Sequence, residues 1–495
     1  MKNVNHERHG SKRGIAAVVF CSIILLIALL AFFSANWYIH TYGKTGFDSV
    51  LYTLLSDFDG VEMDLIKAYL MGALGPALLA FFFAALIMAF LYKKNLMRHS
   101  MMIFCCILCS AGMLYYAADI SQLLGYLQDA TKESAIYETS YQDPKETDII
   151  FPAKKRNLIY IFMESMENTY FSTEQGGMLA TCTISELYQL AEDNVSFSCN
   201  NDVGGLYAGP GGTWTIGAMV SHTAGVPLRF FLEDGRVACG RKDAFLPGVT
   251  SLPDILHDNG YYQTLMVGSD SAYGSRKDYF GQHGIDHVYD LYTAREDGIV
   301  PENYRVWWGM EDFHLYEYAE RELAEISAEN QPFAFYMLTV DTHHIGGYVC
   351  QYCRDTHEKQ YENVQSCASR QLADFLQWAK KQDFYEDTTI VIVGDHPSMD
   401  QSYMDAIGAG DFERCVYNCF VNAAVEPVRD RERTAFTLDL FPTTLAAMGC
   451  TISGDRLGLG TNLFSATPAL GESLGRNAFC DDLRKKSSFY TKNFF

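Results

Sequence analysis

Residues 157–165 read NLIYIFMES. After Asn157 comes an unbroken apolar run rich in β-branched and aromatic side chains, which stops abruptly at a carboxylate and a hydroxyl. Such a short continuous run predicts a strand buried on both faces, as in a parallel sheet. The pattern recurs three times. YQTLMV at 262–267 runs into Gly268, Ser269 and Asp270; FAFYMLTV at 333–340 runs into Asp341, Thr342, His343 and His344; TTIVIV at 388–393 runs into Gly394, Asp395 and His396. Helical patterns lie between them at 311–328 and 364–381. Strands alternating with helices predict an α/β fold with a mainly parallel central sheet. In such sheets ligands bind beyond the carboxyl ends of the strands. An Asp-His pair after one strand is ordinarily a turn or a cap. Four strand ends carrying carboxylates or imidazoles on one sheet edge are a candidate site for a divalent cation.

A glycine-rich turn follows the first strand: GPGGTWTIGAM at 209–219. The glycines permit a tight turn, and the apolar run after them suits a helix. Thr213 is expected at that helix's N-terminus. As a capping residue it would satisfy a free backbone N–H. In the same place the dipole and unpaired N–H groups favour a bound phosphate or an alkoxide. Beside a metal site the second reading, Thr213 as nucleophile, is preferred.

Working outward toward the N-terminus, residues 1–120 read as a transmembrane region. Uncharged apolar runs at 14–34, 69–92 and 101–118 predict three membrane helices. Lys2, Arg8, Lys12 and Arg13 precede the first, and Lys93, Lys94 and Arg98 separate the second from the third. The loop between the first two carries Asp48, Asp57, Asp59, Glu62 and Asp64 against Lys44 and Lys67. The positive-inside rule therefore puts the N-terminus in the cytoplasm and everything after about residue 120 outside. Residues 121–156 are polar and read as a connector, and 157–495 as one extracytoplasmic domain.

The net charge is −22, and the acidic excess lies after residue 120, with 29 basic against 53 acidic residues. A field of that sign excludes nucleic acid as a partner. With 14% aromatic residues, the chain is not a disordered one. Ten of the 14 cysteines also follow residue 120. Disulfides are expected there among Cys350, Cys353, Cys367, Cys415 and Cys419, with a zinc cluster as the rival reading of the Cys350-x-x-Cys353 spacing.

Seven stretches together carry a family resemblance: NLIYIFMESMENTYF (157–171), GGTWTIGAMVSHTAGVPL (211–228), SRKDYFGQHGIDHVYD (275–290), WWGMEDFHLYEYA (307–319), QPFAFYMLTVDTHHIGGY (331–348), IVIVGDHPSM (390–399) and DRLGLGTNLFS (455–465). In this the chain resembles the sulfatase-fold phosphoglycerol transferases, including lipoteichoic acid synthases and the enzymes that decorate periplasmic glucans. The resemblance implies an alkaline phosphatase/sulfatase-like extracellular domain. It implies a metal site of Glu164, Thr213, Asp395 and His396 holding manganese, with magnesium or zinc as alternatives. It implies headgroup and phosphate contacts from Arg276, His343 and Asp270. Gly274 stands where the family has a tryptophan, and three spans replace the five usual in lipoteichoic acid synthases.

The implied reaction is double displacement. Thr213 attacks the phosphorus of phosphatidylglycerol, diacylglycerol leaves, and a glycolipid, polyglycerolphosphate or glucan hydroxyl takes the glycerol phosphate. His343, or its neighbour His344, is the candidate proton carrier or phosphate ligand. The rivals are a phosphoethanolamine transferase, another hydrolase of the superfamily and a non-catalytic scaffold. The C/S-x-P-x-R pattern needed for a formylglycine sulfatase does not occur in the sequence. The charge bias carries a direct test of topology: a periplasmic-type reporter fused after residue 125 is active only outside the cytoplasm, and cytoplasmic activity of that fusion contradicts the three-span reading.

Overall fold

The structure is a computed structural model describing residues 12–43, 45–55, 63–94, 96, 98–233, 236–238, 244–329 and 331–495. It divides into two units. The first comprises the chain up to Lys44 and Val61–Gly125; the second comprises Thr45–Gly60 and Tyr126–Phe495.

Three helices of the first unit are long and apolar enough to cross a membrane, over Val19–Tyr42, Leu65–Leu91 and Ser100–Ile120. Cys21, Leu25, Leu29, Ala77 and Cys106 form a small shared core. Phe82, Phe83, Leu86, Phe90 and Phe104 point outward, more than half exposed or nearly so, as side chains facing lipid do. The first helix outlasts its expected span of 14–34. Asn36 folds its amide back onto the Phe32 carbonyl (2.7 Å), and the Trp37 ring packs on Tyr69 at 5.2 Å, so polar residues continue the helix without exposing unpaired groups. Apolar helices of this kind, in this number, make the chain a membrane protein.

The second unit is built on a six-stranded sheet. Its strands, in chain order, are β1 Asn157–Met163, β2 Tyr262–Val267, β3 His287–Tyr289, β4 Phe333–Leu338, β5 Thr388–Gly394 and β6 Asn418–Val421. Their spatial order is β3-β2-β4-β1-β5-β6. All neighbours are parallel except β6, which runs antiparallel to β5 at the edge. The four strands read from sequence are the central four. β4 and β5 are buried along their whole length, as continuous apolar runs require. Helices Asp312–Ile326 and Gln360–Ala379 bury Leu315, Leu323, Leu372 and Phe375 in a core shared with β1 and β4.

Two segments outside 157–495 belong to this unit. Residues 126–156, expected as a connector, are anchored. Tyr137 packs on Phe489, Tyr490 and Phe494, and Ile149–Ile150 pairs with Thr451–Ile452. Their aromatic and β-branched residues are too widely spaced to register as a periodic element, yet they find partners near the C-terminus. Helix Phe47–Leu55, from the loop between the first two apolar runs, is held by a buried ion pair between Asp48 and Arg229 and by Tyr52 stacked on Phe230 at 5.6 Å.

The register sets up the site. Met163 on β1 stands opposite Gly394 on β5, and Phe162 opposite Leu338 on β4, so three strands end at one level. Gly394 allows this close approach: a Cβ there would lie 1.9 Å from the Met166 carbonyl oxygen. Gly394→Ala must push the β1 and β5 ends apart. It is expected to cost about 1–3 kcal/mol, read as a fall of several degrees in the unfolding midpoint of the detergent-solubilised protein; an unchanged midpoint contradicts the close packing.

Candidate active site

Because β1 and β5 end in register, Glu164 and Asp395 emerge side by side, with His396 next in line. Ligand atoms of the three lie within 4.8 Å of one another, and all three residues are buried. His396 Nε2 is 3.7 Å from Glu164 Oε1 and 3.3 Å from Asp395 Oδ2. His396 Nδ1 faces the Pro397 carbonyl at 2.9 Å. A carbonyl only accepts, so Nδ1 carries a proton, and Nε2, facing the carboxylates, is the nitrogen left to take a second proton or a metal ion.

Two carboxylates facing one another in a dry space are poorly matched. Burial, then the Glu164 charge, pushes the Asp395 carboxyl up to about 7. Burial disfavours charge on His396, but Asp395 and Glu164 outweigh it and raise the imidazole. Asp395 Oδ2 accepts no hydrogen bond among the described residues. Two carboxylates, the Nε2 of an imidazole and an orphaned buried oxygen fit a divalent cation.

The surrounding groups fix the ligands. The Ser165 N–H donates to Asp395 Oδ1 (2.8 Å) and its hydroxyl to Glu164 Oε1 (2.7 Å). Ser165 does so from a left-handed backbone, φ 56°, a strained conformation for a residue with a Cβ. The Glu164 N–H donates to Thr339 Oγ1 at 3.0 Å, and the Thr342 hydroxyl to the Glu164 carbonyl at 2.6 Å. Below the cluster, His222 lies in the helix Thr215–Ala224, stacked on Phe162 at 5.6 Å. Burial and the nearby His396 push it down to about 3, so it stays neutral. Sequence reading missed Ser165, Thr339 and His222. The first two lie beside strand ends already singled out; His222 sits on an apolar helix with no signal that marks it.

Thr213 is not where a cap would be. The helix starts at Thr215 with Trp214 as its N-cap residue, and no side chain caps it. The Thr213 hydroxyl instead donates to the Thr45 carbonyl at 2.7 Å. Thr215 Oγ1, two residues on, is 3.4 Å from His396 Nε2. Two residues of chain reach at most about 7 Å, so Thr213 belongs to the neighbourhood of the cluster. Gly211, at φ 80°, makes the turn; a Cβ there would meet the Leu228 carbonyl oxygen at 2.8 Å.

The remaining candidates divide. Arg276 is buried, but its guanidinium already donates to two backbone carbonyls, Tyr273 (2.9 Å) and Asp270 (2.7 Å), where an open fork was expected. Burial lowers its pKa while Glu164 and Asp270 support the charge, so it stands in the field of the cluster. Asp270 is turned to its own loop, accepting from the Ala272 N–H (2.9 Å) and the Tyr292 hydroxyl (3.3 Å). His343 donates Nδ1–H to the His344 carbonyl (2.8 Å) and packs on Trp308 at 4.4 Å. Burial, and then the His396 and Arg276 charges, push it down to about 4. Asp341, from the same strand end, is not part of the Glu164–Asp395–His396 group, and its backbone N–H donates to Asp312 Oδ2 at 3.2 Å. The expected neighbours Cys415 and Cys419 do not meet. Cys415 lies 3.1 Å from Cys199, and Cys419 points at the Leu190 carbonyl.

A family model described as Sulfatase matches residues 156–450. Phosphoglycerol transferase I of Escherichia coli O6:H1 is 28% identical over 363 residues, covering 72% of this chain and 45% of that protein. The chain thus spans about half the length of the curated relatives it matches. A solved protein of the alkaline phosphatase superfamily from Vibrio parahaemolyticus superposes with a TM-score of 0.50 at 20% identity, covering 67% of this chain and 76% of that one. The lipoteichoic acid synthase LtaP from Listeria monocytogenes gives 0.48 at 19% identity, over 65% and 79%. The fold is therefore alkaline phosphatase/sulfatase-like, on a superfamily scaffold whose enzymes use divalent metals. The family match takes in the whole six-stranded sheet and more than half of the 495 residues, and the chain belongs to the sulfatase family.

Proposed function

We propose that this chain is a membrane-anchored phosphoglycerol transferase that moves glycerol phosphate from phosphatidylglycerol to an extracytoplasmic hydroxyl through a phosphothreonine at Thr213. The convergence of Glu164, Asp395 and His396, with Thr213 two residues from Thr215 beside them, carries this reading. The name of the curated relatives supports phosphoglycerol as the transferred group. A divalent cation held by Glu164, Asp395 and His396, with Thr213 completing the set, would lower the pKa of the threonine hydroxyl and offset phosphate charge. Manganese is the ion the family resemblance favours, ahead of magnesium and zinc.

The chain's own residues supply the rest. Thr213 Oγ1 leaves the Thr45 carbonyl and attacks phosphorus, its proton passing to solvent, as the bond to diacylglycerol breaks and that oxygen takes a proton from solvent; the acceptor oxygen then displaces Thr213 from phosphorus, and the acceptor's hydroxyl proton restores the threonine hydroxyl. Arg276 lends its charge to the phosphate oxygens from a fixed loop. His343, neutral at neutral pH because its pKa is near 4, has Nδ1 committed to the His344 carbonyl and offers Nε2 as a hydrogen-bond acceptor that orients the incoming acceptor hydroxyl. The acceptor is a glycolipid, a polyglycerolphosphate or a glucan. Placement of the catalytic unit outside the cytoplasm is supported within that unit. Thr45 and helix Phe47–Leu55, from the loop between the first two spans, pack with residues after the third. Two crossings separate these segments, so they share one side of the bilayer.

The test is diacylglycerol release from vesicles containing labelled phosphatidylglycerol or labelled phosphatidylethanolamine. The wild-type chain consumes the first. Thr213→Ala, folded, loses at least about 10³-fold of that activity, and Asp395→Ala loses bound metal and activity together. Without acceptor, the peptide containing Thr213 gains the mass of one glycerol phosphate. Release by folded Thr213→Ala contradicts the nucleophile, and consumption of phosphatidylethanolamine alone contradicts the donor.

A further inference from the structure

The loop that leaves β4 and carries His343 ends in a turn, Cys350 to Cys353, that faces Cys367 on the helix Gln360–Ala379. Cys350 Sγ is 3.7 Å from both Cys353 Sγ and Cys367 Sγ, and all three sulfurs lie within 4.8 Å of one another. Four sulfurs set about 2.3 Å from a zinc ion form a tetrahedron with edges of about 3.8 Å. The three sulfurs thus occupy three corners of such a tetrahedron. A disulfide joins only two of them and leaves the third thiol unpaired beside it.

The neighbours suit thiolates and a cation. The Gln371 amide turns its NH₂ to Cys367 Sγ at 3.3 Å and to Cys350 Sγ at 3.9 Å, although its buried Oε1 then has no hydrogen-bond partner among the described residues. N–H groups aimed at sulfur favour the anion. Glu311, Asp312 and Asp341 also lie near Cys350, and burial raises all three carboxyls, so the negative charge of the site comes from the thiolates. Arg370 ties helix to turn, donating to Ser366 Oγ (2.8 Å) and the Tyr352 carbonyl (3.4 Å). Cys367 lines a surface groove of about 590 Å³ with Tyr352, Arg354 and Arg370, which is a path of entry.

We propose that Cys350, Cys353 and Cys367 form a second metal site, a three-thiolate site for zinc or another thiophilic dication, with its fourth position open to the groove. Each thiol gives up its proton to solvent as it binds, and no oxidant or reductant is required. The site is separate from the Glu164–Asp395–His396 cluster and does not depend on the reaction assigned to it. Its effect is to pin the loop bearing Thr342 and His343 to the helix.

The experiment uses the full-length protein in detergent, purified with reductant and loaded with Zn²⁺ or Co²⁺ alone. The wild-type chain and Asp395→Ala both show the intense near-ultraviolet thiolate-to-cobalt charge-transfer band. Cys367→Ser and Cys350→Ser lose it, together with one equivalent of Zn²⁺. A thiol-specific mercurial releases that equivalent from the wild-type protein, which keeps the test valid should a variant fail to fold. Absence of the band from the cobalt-loaded wild-type chain overturns the proposal, as does a disulfide at Cys350 in non-reduced peptide maps of protein purified without added reductant.

Discussion

The structure turns on the register of two parallel strands. Met163 opposite Gly394 places the Glu164 and Asp395 carboxylates at one height in a space without solvent. Two unit charges about 4 Å apart repel by ~4 kcal/mol at an effective dielectric near 20. Ser165 offsets part of this with one N–H and one O–H, at the cost of a left-handed backbone. His396 turns Nε2 toward both carboxylates, which raise its pKa, while Nδ1 is tied to the Pro397 carbonyl. The remaining mismatch is what a bound dication removes, and the whole strand-end architecture is consistent with that single requirement.

The same unit also takes in chain from between the first two apolar helices. The Thr213 hydroxyl is held by the carbonyl of Thr45, a residue just past the first apolar helix. Asp48 and Arg229 lock the following helix in place as a buried ion pair, which is costly to break once formed.

Much of this was legible in the sequence, for a physical reason. A strand buried on both faces must be apolar throughout, so its end shows as an abrupt change of character. Residues 157–163 and 262–267 coincide with β1 and β2, and Glu164, Asp395 and His396 follow directly from where such runs stop. β3 and β6 were not legible, because three or four residues carry no periodicity. Nor was the fate of polar side chains whose partners lie far off in sequence. Thr213 bonds to Thr45, 168 residues away, instead of capping its helix. Arg276 is spent on backbone carbonyls, and Asp270 on its own turn. Cys415 meets Cys199, 216 residues away, and not Cys419. Spacing along the chain reports neighbours on one element; these contacts depend on how elements are brought together.

The central claim is that the ends of β1 and β5 hold one catalytic dication beside Thr213. Diffraction from manganese-loaded crystals of the full-length protein, recorded on both sides of the manganese absorption edge, tests it most directly. The account predicts one anomalous peak within bonding distance of Glu164, Asp395, His396 and Thr213 Oγ1, with the threonine hydroxyl turned away from the Thr45 carbonyl. A manganese peak elsewhere, or an ion at the cluster with Thr213 still bonded to Thr45 when substrate is present, would contradict it.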